Sequence, residues 1–259
     1  MQTIIYDGSF EGMLCAVFDV YEYKFTEVHI CTREHFNGNV FEKVHHTNFD
    51  AAHAERVLRG LEKKLSHDAV QQLYRAFLSE VEGIENVLLQ YIQYVFSSAV
   101  SVEKDYSHSA VITIVQTAKK VWREKHRMEA FVRFQKTADN LYYAVIEPDY
   151  NVLPLIAHHF QTRYADQQWL IYDTKRKQGL YYNLETVEAV TLQFSEKVQQ
   201  GKEVAAVYDE QETMYQQLWQ QYFKSVNIAA RKNTKLHIQH MPRRYWRYLT
   251  EKSLPHNSR

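Results

Sequence analysis

The sequence predicts an α+β fold, in which a helical layer packs on an antiparallel sheet of order β-β-α-β-β, with a further β-strand optional. Apolar residues recur every three or four positions across residues 51–97 and 108–126, as on the buried face of a helix. They alternate with polar residues in parts of 128–146 and 169–194, as in half-buried strands. A run of helical periods followed by a run of strand periods is typical of α+β proteins.

The chain opens with a strand and a helix joined by a glycine-containing turn. Residues 3–6 form the strand, Asp7-Gly8-Ser9 the turn, and residues 11–23 an apolar helix that Asp7 or Ser9 caps. Such a junction can hold an anion on its free N–H groups. Because neither a GxGxxG nor a GKS/GKT pattern is present, a tight packing turn is favoured over a nucleotide loop.

The rest of the amino-terminal half is predicted to be mainly helical. The apolar stripe of residues 51–97 breaks near Ser66 and again at Gly83, which leaves an interrupted amphipathic helix or an antiparallel pair. Another helix is expected over residues 108–126.

Residues 128–259 are predicted to contain the sheet and a basic aromatic tail. The expected elements are, in order, a hairpin (128–146), a helix (152–164), a second hairpin (169–182), an optional strand (189–194) and a last helix (209–226). This part either follows a separate, mainly helical part of residues 1–127 or belongs with it to one continuous domain, residues 1–259.

The formal charge is zero overall but is divided into blocks. Residues 1–118 carry a net charge of −7 and residues 137–223 carry −6, whereas residues 119–136 carry +5 and residues 224–259 carry +8. The centre of the last block reads Met241-Pro242-Arg243-Arg244-Tyr245-Trp246-Arg247-Tyr248. Clustered cations bind phosphates by releasing condensed counterions, and arginine planes and rings stack on exposed bases. A basic surface tail without such a role is the alternative.

Two basic stretches supply the candidate DNA contacts. On the helix over residues 108–126 and just beyond it, cationic side chains four residues apart form a row, although a solvated face stabilised by the helix dipole explains such a row equally. The candidate DNA-binding residues are Lys119, Arg123, Arg127, Arg231, Lys232, Lys235, Arg243, Arg244, Tyr245, Trp246 and Arg247.

A polar cluster around the middle helix is the candidate catalytic site. His159 and Arg163 lie one helical turn apart, Asp149 precedes that helix and Asp173 follows it. Carboxylate, imidazole and guanidinium groups together can perform general acid–base chemistry, or bind a phosphodiester or a flipped base. In the structural alternative, His159 lies at the edge of the core and Arg163 pairs with Asp166 or Asp173. The absence of a nucleophile or metal motif favours this alternative.

No metal or cofactor is expected. Cys15 and Cys31 are too few for an iron–sulfur cluster or a zinc site of four thiolates. No apolar run is long enough to cross a membrane, and no signal peptide follows Met1. The expected location is therefore the cytoplasm, without membrane contact.

Several segments, in order along essentially the whole chain, are similar to those of one known family. They are Tyr6-Asp7-Gly8-Ser9-Phe10-Glu11-Gly12 with Leu14-Cys15-Ala16-Val17-Phe18-Asp19, Pro148-Asp149 with Val152-Leu153, His159-Phe160 with Arg163, Trp169-Leu170-Ile171-Tyr172-Asp173 with Arg176, and Met241-Pro242-Arg243-Arg244-Tyr245-Trp246 with Leu249-Thr250-Glu251. On these segments the chain resembles a bacterial family of DNA-metabolism and DNA-repair proteins built on domain of unknown function 4130.

The resemblance implies two partners, DNA and a DNA-modification protein of the radical S-adenosylmethionine class. Because this chain lacks a three-cysteine cluster motif, the iron–sulfur cluster would belong to that partner. The expected function is a DNA-binding accessory protein in DNA repair or modification. One alternative is an enzyme that acts on a nucleobase or phosphodiester through its own His/Arg/Asp site. Another is a protein-interaction module whose aromatic tail docks on the partner.

Overall fold

A computed structural model gives the fold of residues 1–36, 38, 43–136, 140–191 and 241–249. The chain divides into two compact units, Met1–Trp122 and Arg123–Arg259. The helix expected at residues 209–226 lies outside the described residues, as do the candidate contacts Arg231, Lys232 and Lys235.

The first unit contains a small parallel sheet. Its strands β1 (Gln2–Tyr6), β2 (Val28–Thr32) and β3 (Lys43–His46) lie in the order β2-β1-β3. Helix α1 (Phe10–Glu22) makes the crossover from β1 to β2 that parallel neighbours require. The predicted first strand and helix are confirmed. The sequence does not predict β2 and β3, because these short strands mix polar and apolar residues without clear alternation.

Helices make up most of the rest of the first unit. They are α2 (Ala51–Glu62), α3 (His67–Phe77), α4 (Ile84–Ser97) and α5 (Ser109–Phe131), and the last of them continues into the second unit. Ser66 caps α3 by accepting a hydrogen bond from the Ala69 N–H. Gly83 precedes α4 with φ 78°, a left-handed conformation that favours glycine. The stripe of residues 51–97 therefore belongs to three helices, not to one or two.

The second unit contains a five-stranded sheet and one crossover helix. Its strands, in spatial order, are β4 (Gln135–Lys136), β5 (Tyr142–Ile146), β6 (Trp169–Asp173), β7 (Gln178–Tyr182) and β8 (Val187–Thr191). Helix α6 (Leu153–Arg163) connects β5 to β6, with a proline in its first turn. A 3₁₀ helix, Arg243–Tyr248, packs against β5. The predicted α+β class is confirmed.

The prediction of an antiparallel sheet is wrong at one pair of strands. β5 and β6 run parallel, with Tyr142 opposite Trp169 and Ile146 opposite Asp173, whereas the other three pairs are antiparallel. The reason is the crossover through α6, which returns the chain to the end of the sheet at which β5 began. The two predicted hairpins are thus joined by a βαβ unit.

The first predicted hairpin begins later than the sequence indicates. Residues 128–131 continue α5, and β4 contains only Gln135–Lys136. Met128, Ala130 and Val132 alternate like a strand, but Met128 also extends the helical stripe of α5. That stripe of fully buried side chains consists of Val111, Ile114, Ala118, Val121, Glu124 and Met128. It contains one carboxylate, that of Glu124.

Candidate functional site

Two loops meet at one edge of the second sheet. Because β5 and β6 are parallel, their carboxyl ends lie side by side. Glu147-Pro148-Asp149 follow β5, and Thr174-Lys175-Arg176 follow β6. In proteins with parallel strands, the carboxyl ends are the usual position of ligand sites.

Asp173 and Arg176 fix the loop that follows β5. The Asp173 carboxylate is fully buried and accepts a hydrogen bond from Arg176 Nη1 at 2.8 Å and from the Lys175 N–H at 2.9 Å. Arg176 also donates to the carbonyl oxygens of Pro148 and Asp149, each at 3.2 Å. Burial raises the pKa of Asp173, although Arg176 opposes this effect. This buried pair therefore holds the loop that carries Glu147 and Asp149.

The segment of residues 241–249 packs at the same edge. A 3₁₀ helix has three residues per turn, so Tyr245 and Tyr248 share one side of it and Arg244 and Arg247 share the next. Tyr245 is 1% exposed, whereas both arginines are exposed. Trp246 Nε1 donates to the Met241 carbonyl oxygen at 3.0 Å, which closes the segment on itself. The tyrosines thus anchor the segment and leave the arginines outside.

Glu124, on α5, is the buried end of this anchor. Its carboxylate is 1% exposed and accepts hydrogen bonds from the Tyr245 hydroxyl, Arg244 Nη2 at 3.1 Å, the Asp149 N–H at 3.0 Å and Arg127 Nη1 at 3.5 Å. A buried carboxylate is tolerated only when donors of this kind compensate its lost hydration. Arg244 also contacts Asp149 Oδ2 at 2.7 Å, so that its guanidinium joins two carboxylates.

Glu147 forms the second contact with the segment, nearer the surface. Its Oε2 accepts hydrogen bonds from the Tyr248 hydroxyl at 2.7 Å and the Thr174 hydroxyl at 3.1 Å, and it pairs with Arg247 Nη2. Side chains here are only partly covered: Glu147 is 40% exposed and Arg247 is 60% exposed. The two Tyr–Glu–Arg contacts are alike in chemistry and different in burial.

The pKa values show which groups donate protons in these contacts. Burial and the neighbouring carboxylate raise the pKa of Tyr245, and the same causes raise the pKa of Tyr248 to about 12. Burial alone would raise the pKa of Glu147, but hydrogen bonds from Tyr248, Arg247 and Thr174 outweigh it and the pKa is lowered. At neutral pH both tyrosines are therefore protonated donors and Glu147 is an ionised acceptor.

A shallow depression, partly open to solvent and with about 10 Å³ of space for a water-sized molecule, lies beside these contacts. It is lined by Met128, Phe131, Ile146, Glu147, Tyr245 and Tyr248. Both tyrosine hydroxyls are bonded to carboxylates. What the depression presents is therefore an apolar and aromatic wall rather than an acid–base pair.

The four predicted catalytic residues have four different partners. Those partners are Arg244 for Asp149, Arg176 for Asp173, Glu129 for His159 (Nδ1 to Oε1, 3.7 Å) and the Tyr164 ring for Arg163 (5.9 Å to its centroid). Among the residues that the structure describes, no hydrogen bond or ion pair joins any two of the four. Their joint catalytic role stays a prediction, and Asp173 has a sufficient structural role.

The predicted DNA contacts of the tail fall into three kinds. Arg243 is exposed and lies 5.8 Å from the centroid of the half-buried Trp246 ring. Arg244 and Arg247 are exposed but paired with carboxylates. Tyr245 is buried, so its ring packs in the protein and does not face outward.

The predicted contacts on α5 are divided between the two units. Lys119 lies in the first unit and Arg123 is the first residue of the second. Arg127 contacts the buried Glu124 at 3.5 Å. Arg127 is therefore partly turned to an internal carboxylate, and DNA contact by these three residues stays a prediction.

Glu124 is a residue of the site that the sequence does not single out. A signal for Glu124 exists: it lies three residues after Val121 and four before Met128, on the buried stripe of α5. A carboxylate on an apolar helical stripe indicates a buried charge that requires partners. Nothing in the sequence shows which residues those partners are, because the Tyr245 hydroxyl comes from 121 positions away.

In the glycine turn after β1, the acceptor for the turn's own N–H and hydroxyl donors is the Asp7 side chain. Asp7 Oδ1 accepts hydrogen bonds from the Ser9 N–H at 2.9 Å and the Ser9 hydroxyl at 2.7 Å. A Cβ atom on Gly12 would lie 2.0 Å from the same oxygen, so the close approach requires glycine. This geometry is that of the packing turn expected from the sequence.

No group of three or more metal-ligating side chains occurs in the described residues. None of their helices is both long and apolar enough to span a bilayer.

Comparison with known proteins places this site inside a family domain. A family model described as a domain of unknown function, DUF4130, matches residues 82–251. The match includes α5, the loops after β5 and β6, and the 241–249 segment. A search of curated proteins gives no match.

Proposed function

The chain belongs to the family of the domain of unknown function DUF4130, and on that premise we propose that it is a DNA-binding accessory protein in DNA repair or modification. The family description names no activity, so the proposal depends on the site itself. One observation carries it: the basic, aromatic 241–249 segment is a folded helix with its tyrosines inward and its arginines outward. A fixed cationic face binds a polyanion without first losing chain entropy.

Arg243 and Trp246 are the part of this face best suited to DNA. They lie three residues apart on the 3₁₀ helix, and the guanidinium stands over the indole ring. Among the described residues, Arg243 has no carboxylate in hydrogen-bond or ion-pair contact. Its charge therefore remains available to a phosphate, and the indole beside it can stack on an exposed base.

Arg244 and Arg247 contribute less charge than the sequence indicates. Each is paired with at least one carboxylate, so its net attraction for a phosphate is reduced. A guanidinium has five N–H donors, however, and both side chains are partly exposed. Donors not used internally can still position a phosphate.

The partner expected for this accessory role is a radical S-adenosylmethionine protein that modifies DNA. This assignment comes from the resemblance of the family and from the two cysteines of the chain, which cannot hold a cluster alone. Both cysteines are buried in the first unit and form no disulfide. The partner would carry the iron–sulfur cluster and its chemistry. Because both proteins would act on the same DNA, both would be located in the cytoplasm.

Binding to labelled single-stranded and duplex DNA tests the proposal through two single substitutions. R243A should make the slope of log K against log salt shallower by about 0.9 for one lost phosphate contact. W246A should leave that slope unchanged and weaken binding to single-stranded DNA by about 1–3 kcal/mol, the contribution of one stacked base. R59A is the matched control, since it removes an exposed arginine from α2 in the first unit.

Two outcomes would contradict the proposal. If the wild-type chain binds neither DNA form at low salt, the accessory role in DNA binding is wrong. If it binds but R243A and W246A behave like R59A, the 241–249 segment is not the contact surface. Should W246A instead abolish nuclease-resistant co-purification of the radical partner and leave DNA binding intact, the segment is a protein-interaction module.

A further inference from the structure

Two of the three arginines in the 241–249 segment are held by carboxylates of their own unit. Arg244 Nη2 lies 3.1 Å from Glu124 and 2.7 Å from Asp149, and Arg247 Nη2 contacts Glu147. Together Glu124, Glu147 and Asp149 form an acidic clasp around the segment. We infer that the acidic clasp competes with DNA phosphates for these arginines, and so limits the affinity of the protein for DNA. This inference rests on the proposed function.

The Glu147 side of the clasp is able to open. Its pair with Arg247 is exposed on both sides, and exposed pairs of this kind are weak and screened by salt. When Arg247 turns away, Glu147 keeps the hydroxyl donors of Tyr248 and Thr174. Neither the carboxylate nor the guanidinium is then left buried without a partner. Arg247 can therefore exchange Glu147 for a phosphate.

The Glu124 side of the clasp stays closed. Glu124 is 1% exposed, so loss of Arg244 would leave a buried carboxylate with fewer donors, which is strongly unfavourable. Arg244 is also tied to Asp149, whose backbone N–H donates to Glu124. The segment consequently keeps its position while Arg247 moves. Arg244 anchors the segment, and Arg247 is the adjustable contact.

Removal of the charge on Glu147 should therefore increase DNA binding. One additional phosphate contact makes the slope of log K against log salt steeper by about 0.9. Between about 50 and 200 mM salt, the affinity of E147Q for DNA should therefore fall about 3.5-fold more than that of the wild type. The substitution E147Q removes the charge and keeps an oxygen that accepts the Tyr248 and Thr174 hydrogen bonds. The matched control is E55Q, which removes the charge from the exposed Glu55–Arg59 pair of α2.

Salt-dependent anisotropy titrations of E147Q, E55Q and wild-type protein with the same labelled DNA test the competition. We expect E147Q to bind more tightly at low salt and with a steeper slope, and E55Q to match the wild type. The gain should disappear in E147Q/R247A, because Arg247 is the group that the substitution releases. A thermal unfolding curve for each variant verifies that the segment and its unit remain folded.

The outcomes separate this inference from the proposed function. If wild-type protein binds DNA and E147Q binds identically, the competition is absent although DNA binding stands. If neither protein binds, the proposed function fails and the inference fails with it. Should E147Q be unfolded, a comparison of R247A with R243A tests the inference instead. If the acidic clasp competes for Arg247, R247A should reduce the slope of log K against log salt less than R243A does. Equal reductions would overturn the inference.

Discussion

Substitution of Tyr245 by Phe removes one hydroxyl from a fully buried contact and leaves the ring in place. That hydroxyl donates to Glu124, and the two side chains are each 1% exposed. Water cannot replace the lost donor at a site of this burial. Burial and the neighbouring carboxylate raise the pKa of Tyr245, so its hydroxyl keeps its proton at neutral pH. Y245F therefore leaves a buried carboxylate with one hydrogen bond fewer.

The expected loss follows from the charge on the acceptor. A hydrogen bond to a charged group contributes about 1.5–3 kcal/mol, so Y245F should lower the free energy of unfolding by that amount. Y248F is the matched control, since its hydroxyl donates to Glu147, which is 40% exposed and accessible to water. Glu147 is ionised as well, but water can replace the lost donor at this exposed carboxylate, so the loss for Y248F should be smaller, about 0.5–1.5 kcal/mol. The difference between the two variants measures the effect of burial.

Urea unfolding followed by far-UV circular dichroism and tryptophan fluorescence measures both losses. With a urea dependence of about 2 kcal/mol per molar, a loss of 2 kcal/mol moves the midpoint by about 1 M. Hydrogen exchange at the Tyr245 and Leu249 amides, which bond to Pro242 and Trp246 carbonyls, reports the segment directly. Equal midpoints for Y245F and Y248F would refute the argument that burial makes the Tyr245–Glu124 hydrogen bond the stronger of the two.

Three further predictions concern the support of the site and of the first unit. D173N should lower the free energy of unfolding by about 3–5 kcal/mol, because the Arg176 guanidinium is only 8% exposed and loses its carboxylate partner. An unchanged Tm would contradict this prediction. Because the pKa of folded Glu147 lies below its ordinary value of 4.5, its ionised form contributes stability above that pH, and the contribution is lost as the pH falls through the lowered pKa. Acid unfolding curves should therefore lose this contribution in E147Q. G12A should destabilise the chain, and D7A/G12A should recover part of the loss in thermal unfolding, since the added Cβ meets Asp7.

The sequence was sufficient for those elements whose periodicity is long or whose caps are local. Helix α1 with its Ser9 cap and the break before α3 at Ser66 follow from neighbouring residues alone. The direction of β6 relative to β5 does not, because it depends on how α6 packs rather than on the pattern of either strand. The end of α5 was ambiguous because Met128 satisfies a helical and a strand period at once.

The motifs that carry the family resemblance gain a physical meaning from the fold. Pro148-Asp149, Asp173 with Arg176, and Arg244-Tyr245 are far apart in the chain, yet hydrogen bonds connect them in series. Arg176 holds the loop, the loop presents Asp149, and Asp149 holds Arg244. Spacing could not reveal this order, because each link joins residues from a different element.

Counting charges along the chain overstates what the tail offers to a polyanion. The net charge of +8 for residues 224–259 treats every arginine as equivalent. The structure distinguishes them by partners about a hundred positions away, since Arg244 pairs with Glu124 and Arg247 pairs with Glu147. Among the described arginines of the segment, Arg243 is the one without a carboxylate contact. The attraction that the proposed DNA binding requires would therefore come from Arg243 first, from Arg247 when Glu147 releases it, and from Arg244 least.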